Sequence, residues 1–323
     1  MPTNMHYFKE SDLIINYHDA VIYGSDLKLL ENRTEWLNDS CIHFFFVLLQ
    51  QRHREQEQER ECEREQKETS SSSSFLFMDP SVVSYWMHQC TDQDDIEDFV
   101  NNTNFPKSKG RNGNGGGGGG GVIFIAVNDD MTLSSNGWQI PNSGSHWSLL
   151  LIIVGCGDDN KNKNNNNDED ENDSEVSHIS SLCFLHFDSI RNSRNIRAAN
   201  DIAKKILLHV YSDDNNKRKR DSDSNHDKPK VIQVETPQQR NGYDCGVHVL
   251  GAAKILSSSS TTTSLTINSN NDNNNSDSMN SVRLNSLEES LQQGVGNNSF
   301  DFCSKLRDEI SSEILLLSSS ASS

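Results

Sequence analysis

Five compositionally biased runs interrupt this 323-residue chain, and they limit the core it can build. They fall at about 51–74 (Gln, Glu and Arg, then Ser), 101–121 (Asn, then Gly), 157–177 (Asn and Asp), 212–230 (mixed charge) and 257–282 (Ser, Thr and Asn). Segments of this kind bury too little apolar surface to offset the entropy lost on ordering them. They also account for a hydrophobic content of only 33%. What remains is about 210 residues, the size of one ordinary domain. The expected organisation is a single domain over 1–323, interrupted by these runs as disordered inserts.

The net charge of −18 argues against general affinity for nucleic acid or for an anionic membrane, since phosphate recognition needs a basic stripe. No apolar run approaches the length of a membrane span, and Met1 to Glu10 lacks the apolar core of a signal peptide. The expectation is therefore a soluble chain of the cytoplasm or nucleus, without nucleic-acid or membrane partners. Seven cysteines stand singly at 41, 62, 90, 156, 183, 245 and 303. With no Cys-x-x-Cys pair and an odd count, neither a zinc site nor a disulfide framework is suggested, and no metal or cofactor is expected. The glycine run 115–121 lacks the Lys-Ser/Thr that a phosphate loop needs, and a strand pattern follows it rather than a helix. Lys217-Arg218-Lys219-Arg220 reads as a solvated charge run before it reads as a nuclear address.

Between the biased runs the periodicity alternates. Leu13 to Tyr23 reads as short extended segments, and Gly24-Ser25-Asp26 as a turn. Trp36 to Gln50 reads as a helix capped by Asn38, Asp39 or Ser40 and apolar almost all round from Ile42 to Leu49. Pro80 suits the first turn of a helix through Val82 to Met87. Val122 to Val127, Leu149 to Val154, Leu182 to Phe187 and Val231 to Val234 read as strands, the first of them central. Asn195 to Tyr211 and Phe300 to Leu317 carry helical spacing. These elements read as a sheet with helices packed on it, interrupted by long low-complexity loops.

The chemistry concentrates in Gln239-Arg240-Asn241-Gly242-Tyr243-Asp244-Cys245-Gly246. It sets one cysteine at a turn entering the apolar run Val247 to Leu256. A thiol there meets the positive end of a helix dipole and free backbone N–H groups, which favour the thiolate. A lone cysteine after a turn is more often a small buried residue than a nucleophile. Two upstream features change that balance. His146 stands at the head of one predicted strand and Asp188 at the tail of another, so pairing of the strands would bring imidazole and carboxylate together. Thiol, imidazole and orienting carboxylate are the parts of a thiol hydrolase.

The order His146…Asp188…Gln239-x-x-x-x-Asp244-Cys245-Gly246 resembles the cysteine proteases that cleave ubiquitin-like modifiers, the SUMO- and Nedd-specific group. Trp36-Leu37-Asn38-Asp39, Asp79-Pro80-Ser81-Val82-Val83, Val122 to Asp129 and Ser145 to Leu150 follow in the family's order. Leu13 to Leu30, with Tyr17, Asp19 and Ser25-Asp26, is similar to the N-terminus of its deneddylase branch. The resemblance implies a papain-like cysteine protease fold of class α+β, a mixed central sheet flanked by helices with long low-complexity loop insertions. It also implies a monomeric isopeptidase that takes a Nedd-type modifier off lysines and trims its precursor. By the same resemblance Cys245 is the nucleophile, His146 its acid–base partner, Asp188 the orienting group and Gln239 an oxyanion donor. Trp147 and Trp36 would wall a channel for the modifier's Gly-Gly tail, and Asp39 would contact the modifier. Two alternatives stand beside this reading: a SUMO-specific protease, and a module that binds the modifier without cutting it.

Overall fold

The computed structural model describes residues 8–64, 74–106, 121–132, 144–155, 182–191, 194–211, 229–258, 276–295 and 299–321. Its centre is a five-stranded sheet, β3 (Ser74–Met78), β4 (Gly121–Asn128), β5 (Trp147–Val154), β6 (Leu182–Phe187) and β7 (Val231–Val234), with the strands side by side in chain order. The outer pairs, β3 with β4 and β6 with β7, are parallel, whereas β4–β5 and β5–β6 are antiparallel. This is the mixed α+β sheet that the family resemblance implies. β4 and β5 are buried along their whole length, which is why both read as continuous apolar runs and not as alternating ones. A separate hairpin, β1 (Leu13–Tyr17) and β2 (Ala20–Tyr23), turns through His18 and Asp19, both at positive φ as a tight two-residue hairpin requires.

Helices cover the sheet. They are α1 (Gly24–Glu31), α2 (Asp39–Arg64), α3 (Pro80–His88), α4 (Gln93–Asn102), α5 (Asn195–His209), α6 (Cys245–Leu256), α7 (Ser276–Val295) and α8 (Ser299–Ala321). α5 packs on β4 to β7, while α6 packs on β5 and is itself enclosed by α2, α7 and α8. Enclosure explains its sequence, because a helix apolar all round belongs in a core. Asn38 caps α2 as expected, its side chain accepting from the Cys41 N–H at 3.0 Å, and Asp79 caps α3 ahead of Pro80 by accepting from the Ser81 N–H at 2.8 Å.

Several expectations are corrected. Gly24-Ser25-Asp26 opens α1 and does not form a free turn. Glycine is required there because a Cβ at position 24 would lie 2.0 Å from the Lys9 carbonyl oxygen. The predicted insert 51–74 is helical as far as Arg64. Glu, Gln and Arg are strong helix formers, and α2 is tied down from outside by Arg52, which pairs with Glu309 and Glu313 of α8. His53 adds a ring contact with Phe75, centroids 4.0 Å apart. The insert expected at 101–121 begins inside α4 and ends where Gly121 starts β4; the one at 257–282 overlaps α7 from Ser276 onward. Residues 157–177, the greater part of 212–230, the run Lys217 to Arg220 and glycines 115–120 lie outside the described residues. β3, α4 and α7 were not foreseen from the sequence.

Candidate active site

Strand register builds the first half of the site. β5 and β6 run antiparallel with Leu149 opposite Phe187, so the residue before β5 and the residue after β6 emerge at the same end of the sheet. These are His146 and Asp188, both buried. His146 Nε2 and Asp188 Oδ1 are 2.7 Å apart, and the same carboxylate oxygen accepts from the Ile190 N–H at 2.9 Å.

The main chain of His146 is held from both sides. Its N–H donates to Asp129 Oδ1, an acceptor shared with the Ser145 N–H, and its carbonyl accepts from Asn195 Nδ2 at 3.0 Å. Asn195 also donates to the Val127 carbonyl and to Ser148 Oγ, which lies 2.9 Å from His186 Nε2. A largely buried polar network thus underlies the imidazole, its members bonded to one another except at His186 Nδ1, which is buried without a partner.

Cys245 is the first residue of α6, which packs on β5, and is almost completely buried. Burial, the largest single influence on His146, pushes its pKa down, but the Asp188 hydrogen bond and the neighbouring Cys245 sulfur carry it up to about 9. The other ring nitrogen, Nδ1, is buried and makes no well-aligned hydrogen bond. The Cys245 sulfur is nevertheless close enough to help set the protonation of the ring.

The carboxylate of Asp244, the residue that caps α6, is turned away from the helix. It makes no side-chain bond to the first-turn N–H groups. Instead Oδ1 receives Arg307 Nη2 at 3.1 Å and Oδ2 receives Asn241 Nδ2 at 2.7 Å. The N–H groups around Cys245 are thereby left without their usual side-chain acceptor, the condition for receiving an oxyanion.

Gln239 is fixed beside Asp188. Its backbone N–H donates to the Ser189 carbonyl at 2.9 Å, its Oε1 accepts from Ser189 Oγ at 2.7 Å, and its Nε2 donates to the Asn241 carbonyl at 2.7 Å. The side chain spans the gap between the Asp188 corner and the turn that leads into Cys245. Trp147 is buried, and its indole N–H donates to the Leu37 carbonyl at 3.0 Å. Trp36, the neighbour of Leu37, is 39% exposed. Gly246 makes this approach possible: a Cβ there would stand 3.1 Å from Leu37 Cβ and 3.6 Å from Trp147 Cδ1. Asp39 is half-buried at the start of α2, with Oδ2 accepting from Ser81 Oγ at 2.9 Å and Oδ1 from the Ser40 N–H.

Sequence reasoning missed Asp129, Asn195, Ser189 and Arg307. Asp129 stood in a stretch already singled out, and Asn195 at a predicted helix start, but neither carried a signal for bonding to His146. Arg307 did leave a trace, as a cation set between Leu306 and Ile310 in an apolar stripe.

Residues 123–289, just over half of the chain, match the C-terminal catalytic domain of the Ulp1 protease family. The chain belongs to that family. Among its relatives, this Ulp1-family protease is 25% identical over 247 residues to NEDD8-specific protease 1 of Arabidopsis thaliana, covering 76% of each chain. It is 26% identical over 239 residues to the probable sentrin-specific protease 8 of Dictyostelium discoideum, covering 74% of this chain and 72% of that one. Among solved structures it is similar to a de-sumoylating protease, with a TM-score of 0.52 at 15% identity, covering 93% of this chain and 88% of the other. The protein is accordingly a cysteine protease of the class that acts on ubiquitin-like modifiers, on a Ulp1-like fold.

Proposed function

We propose that this protease removes a Nedd-type modifier from lysine side chains of target proteins and trims the modifier's precursor. The arrangement that carries the chemistry is the Asp188–His146 hydrogen bond beside a buried thiol at a helix N-terminus. In the reaction, Cys245 as thiolate attacks the carbonyl carbon of the modifier's C-terminal glycine, and the charge that develops on oxygen meets the Cys245 N–H and Gln239 Nε2. The C–N bond breaks as the His146 imidazolium gives its proton to the departing lysine amine, leaving a thioester. Water then attacks the thioester, His146 takes the water's proton, the C–S bond breaks, and thiolate and imidazolium are restored. Asp188 holds the ring in orientation throughout. Trp147 and Trp36 wall a passage that a diglycine tail can traverse because glycine carries no side chain. Asp39 serves as a contact for the modifier's body.

The Nedd-type choice rests on two supports: the N-terminal stretch from Leu13 to Leu30, and the named relatives from Arabidopsis and Dictyostelium. A panel of modifiers bearing a C-terminal electrophile tests it. Labelling of Cys245 by the Nedd-type probe, lost in Cys245→Ala, is the expected result. Labelling by a SUMO probe alone would reassign the substrate. Equal turnover of a diglycine-terminated fluorogenic modifier by wild type and Cys245→Ala would leave only a binding module.

A further inference from the structure

We infer that Arg307, from the closing helix, is a positioning residue that keeps the N-terminus of α6 open for the reacting sulfur and oxyanion. This inference rests on Cys245 as the nucleophile. The usual act of an aspartate at an N-cap is to bond the N–H groups of the helix's first turn. Asp244 occupies that place, yet both of its carboxylate oxygens are taken by Arg307 and Asn241 and it makes no such bond. Released, the carboxylate would swing onto the first turn, filling the N–H groups that must receive the developing oxyanion and setting a bare negative charge against the thiolate.

Arg307 does more than divert Asp244. It is 1% exposed, and it also donates to the Leu29 carbonyl at 2.8 Å and the Glu35 carbonyl at 2.7 Å. Glu35 precedes Trp36, and Leu37 accepts the Trp147 indole N–H at 3.0 Å. One guanidinium therefore joins three parts of the site: the nucleophile's neighbour, the strand of chain bearing one channel wall, and, through Leu37, the other wall. The rigid fork of an arginine suits this task, and a lysine, with one charged nitrogen, cannot span all three acceptors. Two other groups near Asp244 are the Cys303 thiol, which also bonds the carboxylate and which burial pushes up to about 12, and His248, which burial pushes down to about 4. Neither supplies a positive charge at neutral pH, so Arg307 is the cation that balances Asp244.

The test compares the full-length wild type with Arg307→Met, Arg307→Lys and Asp244→Asn, each checked for a cooperative thermal transition. Two readouts are taken: kcat and KM on a diglycine-terminated fluorogenic modifier, and the rate of Cys245 alkylation by neutral iodoacetamide against anionic iodoacetate. Arg307→Met is expected to lower kcat by roughly tenfold to a hundredfold with little change in KM, as misplacement of a reacting group does. It should also slow iodoacetate several-fold relative to iodoacetamide, because the uncompensated Asp244 charge repels the anionic reagent. Arg307→Lys should keep the wild-type alkylation ratio and recover part of kcat. Asp244→Asn is nearly isosteric and leaves the cation unbalanced, so it should shift the ratio in the opposite direction, towards iodoacetate. This arm decides the matter even if Arg307→Met does not fold. An alkylation ratio unmoved in Asp244→Asn, or a folded Arg307→Met with wild-type kcat, would overturn the inference. Small alkylating reagents need no modifier, so these outcomes stand apart from the Nedd-type assignment.

Discussion

The two halves of the site are positioned by different means. His146 and Asp188 sit at adjacent strand ends, and the β5–β6 ladder brings them together almost unaided. Cys245 depends on Asp244, and Asp244 on an arginine 63 positions further along the chain whose other acceptors lie near the N-terminus. The first half is thus set by backbone pairing, which tolerates most side-chain changes around it. The second is set by a buried ion pair, which is sensitive to the loss of either partner. Backbone register gives coarse placement cheaply; the buried pair gives a particular placement at the risk of stranding a charge.

Perturbing each half separately sharpens this contrast. The largest effect is expected at Asp188→Asn, where loss of the orienting carboxylate should lower kcat by up to about 10⁴-fold, as in serine analogues. Because the Asp188 hydrogen bond helps to raise His146 to about 9, the alkaline limb of the pH–rate profile should move to lower pH in the same variant. An unmoved limb would mean that Asp188 does not set the protonation of His146. Next comes Gln239→Ala, expected to reduce kcat by about 10²–10³-fold with KM nearly constant. Gln239→Glu should be no better, since it replaces the donor with a carboxylate. A change confined to KM would make Gln239 a structural brace between Ser189 and Asn241.

Asn195→Ala probes the network beneath the histidine. Stranding the His146 and Val127 carbonyls should destabilise the protein by about 1–3 kcal/mol, read from denaturant midpoints, with a smaller loss of kcat than either preceding variant. If kcat fell as far as in Asp188→Asn, register alone would not place the histidine, and the contrast between the halves would fail.

A last perturbation, pH, changes no side chain. His186 and His248 are held at about 4 by burial, below the ordinary value for histidine, so they stay neutral in the folded state while the unfolded chain takes up protons. Stability should therefore fall as pH drops from about 6.5 towards 4, by on the order of 3 kcal/mol for each group at most. His146, raised to about 9, has the opposite sign: its contribution is full below about 6.5 and is lost as pH rises through 9. These three groups together place the stability maximum near pH 6.5, which thermal melts across pH would show or refute.

Much of the fold was legible because its central segments are locally consistent. β4, β5 and β6 are mostly apolar runs, broken inside only by Ser148 and His186, and α5 and α8 carry helical spacing that survives burial. The misreadings fall where composition and structure disagree. The Glu/Gln/Arg run after Gln50 has the polarity of a loop but the propensity of a helix, and Arg52's pairing with α8 settles it. β3 is a four-residue apolar run, Phe75 to Met78, directly after the serines, too short for its period to tell strand from helix.

Taken alone, the linear order of residues determined which side chains could do chemistry here: a single cysteine at the entrance of an apolar helix, with histidine and aspartate at the ends of two strands. That information is local, because a turn, a cap and a strand end are each written within a few neighbours. Only the folded molecule decided what stands between them. Arg307 reaching Asp244, Asn195 reaching His146 and Trp147 reaching Leu37 join residues 63, 49 and 110 positions apart. Such contacts follow from packing of whole elements, and no spacing rule in the chain encodes them.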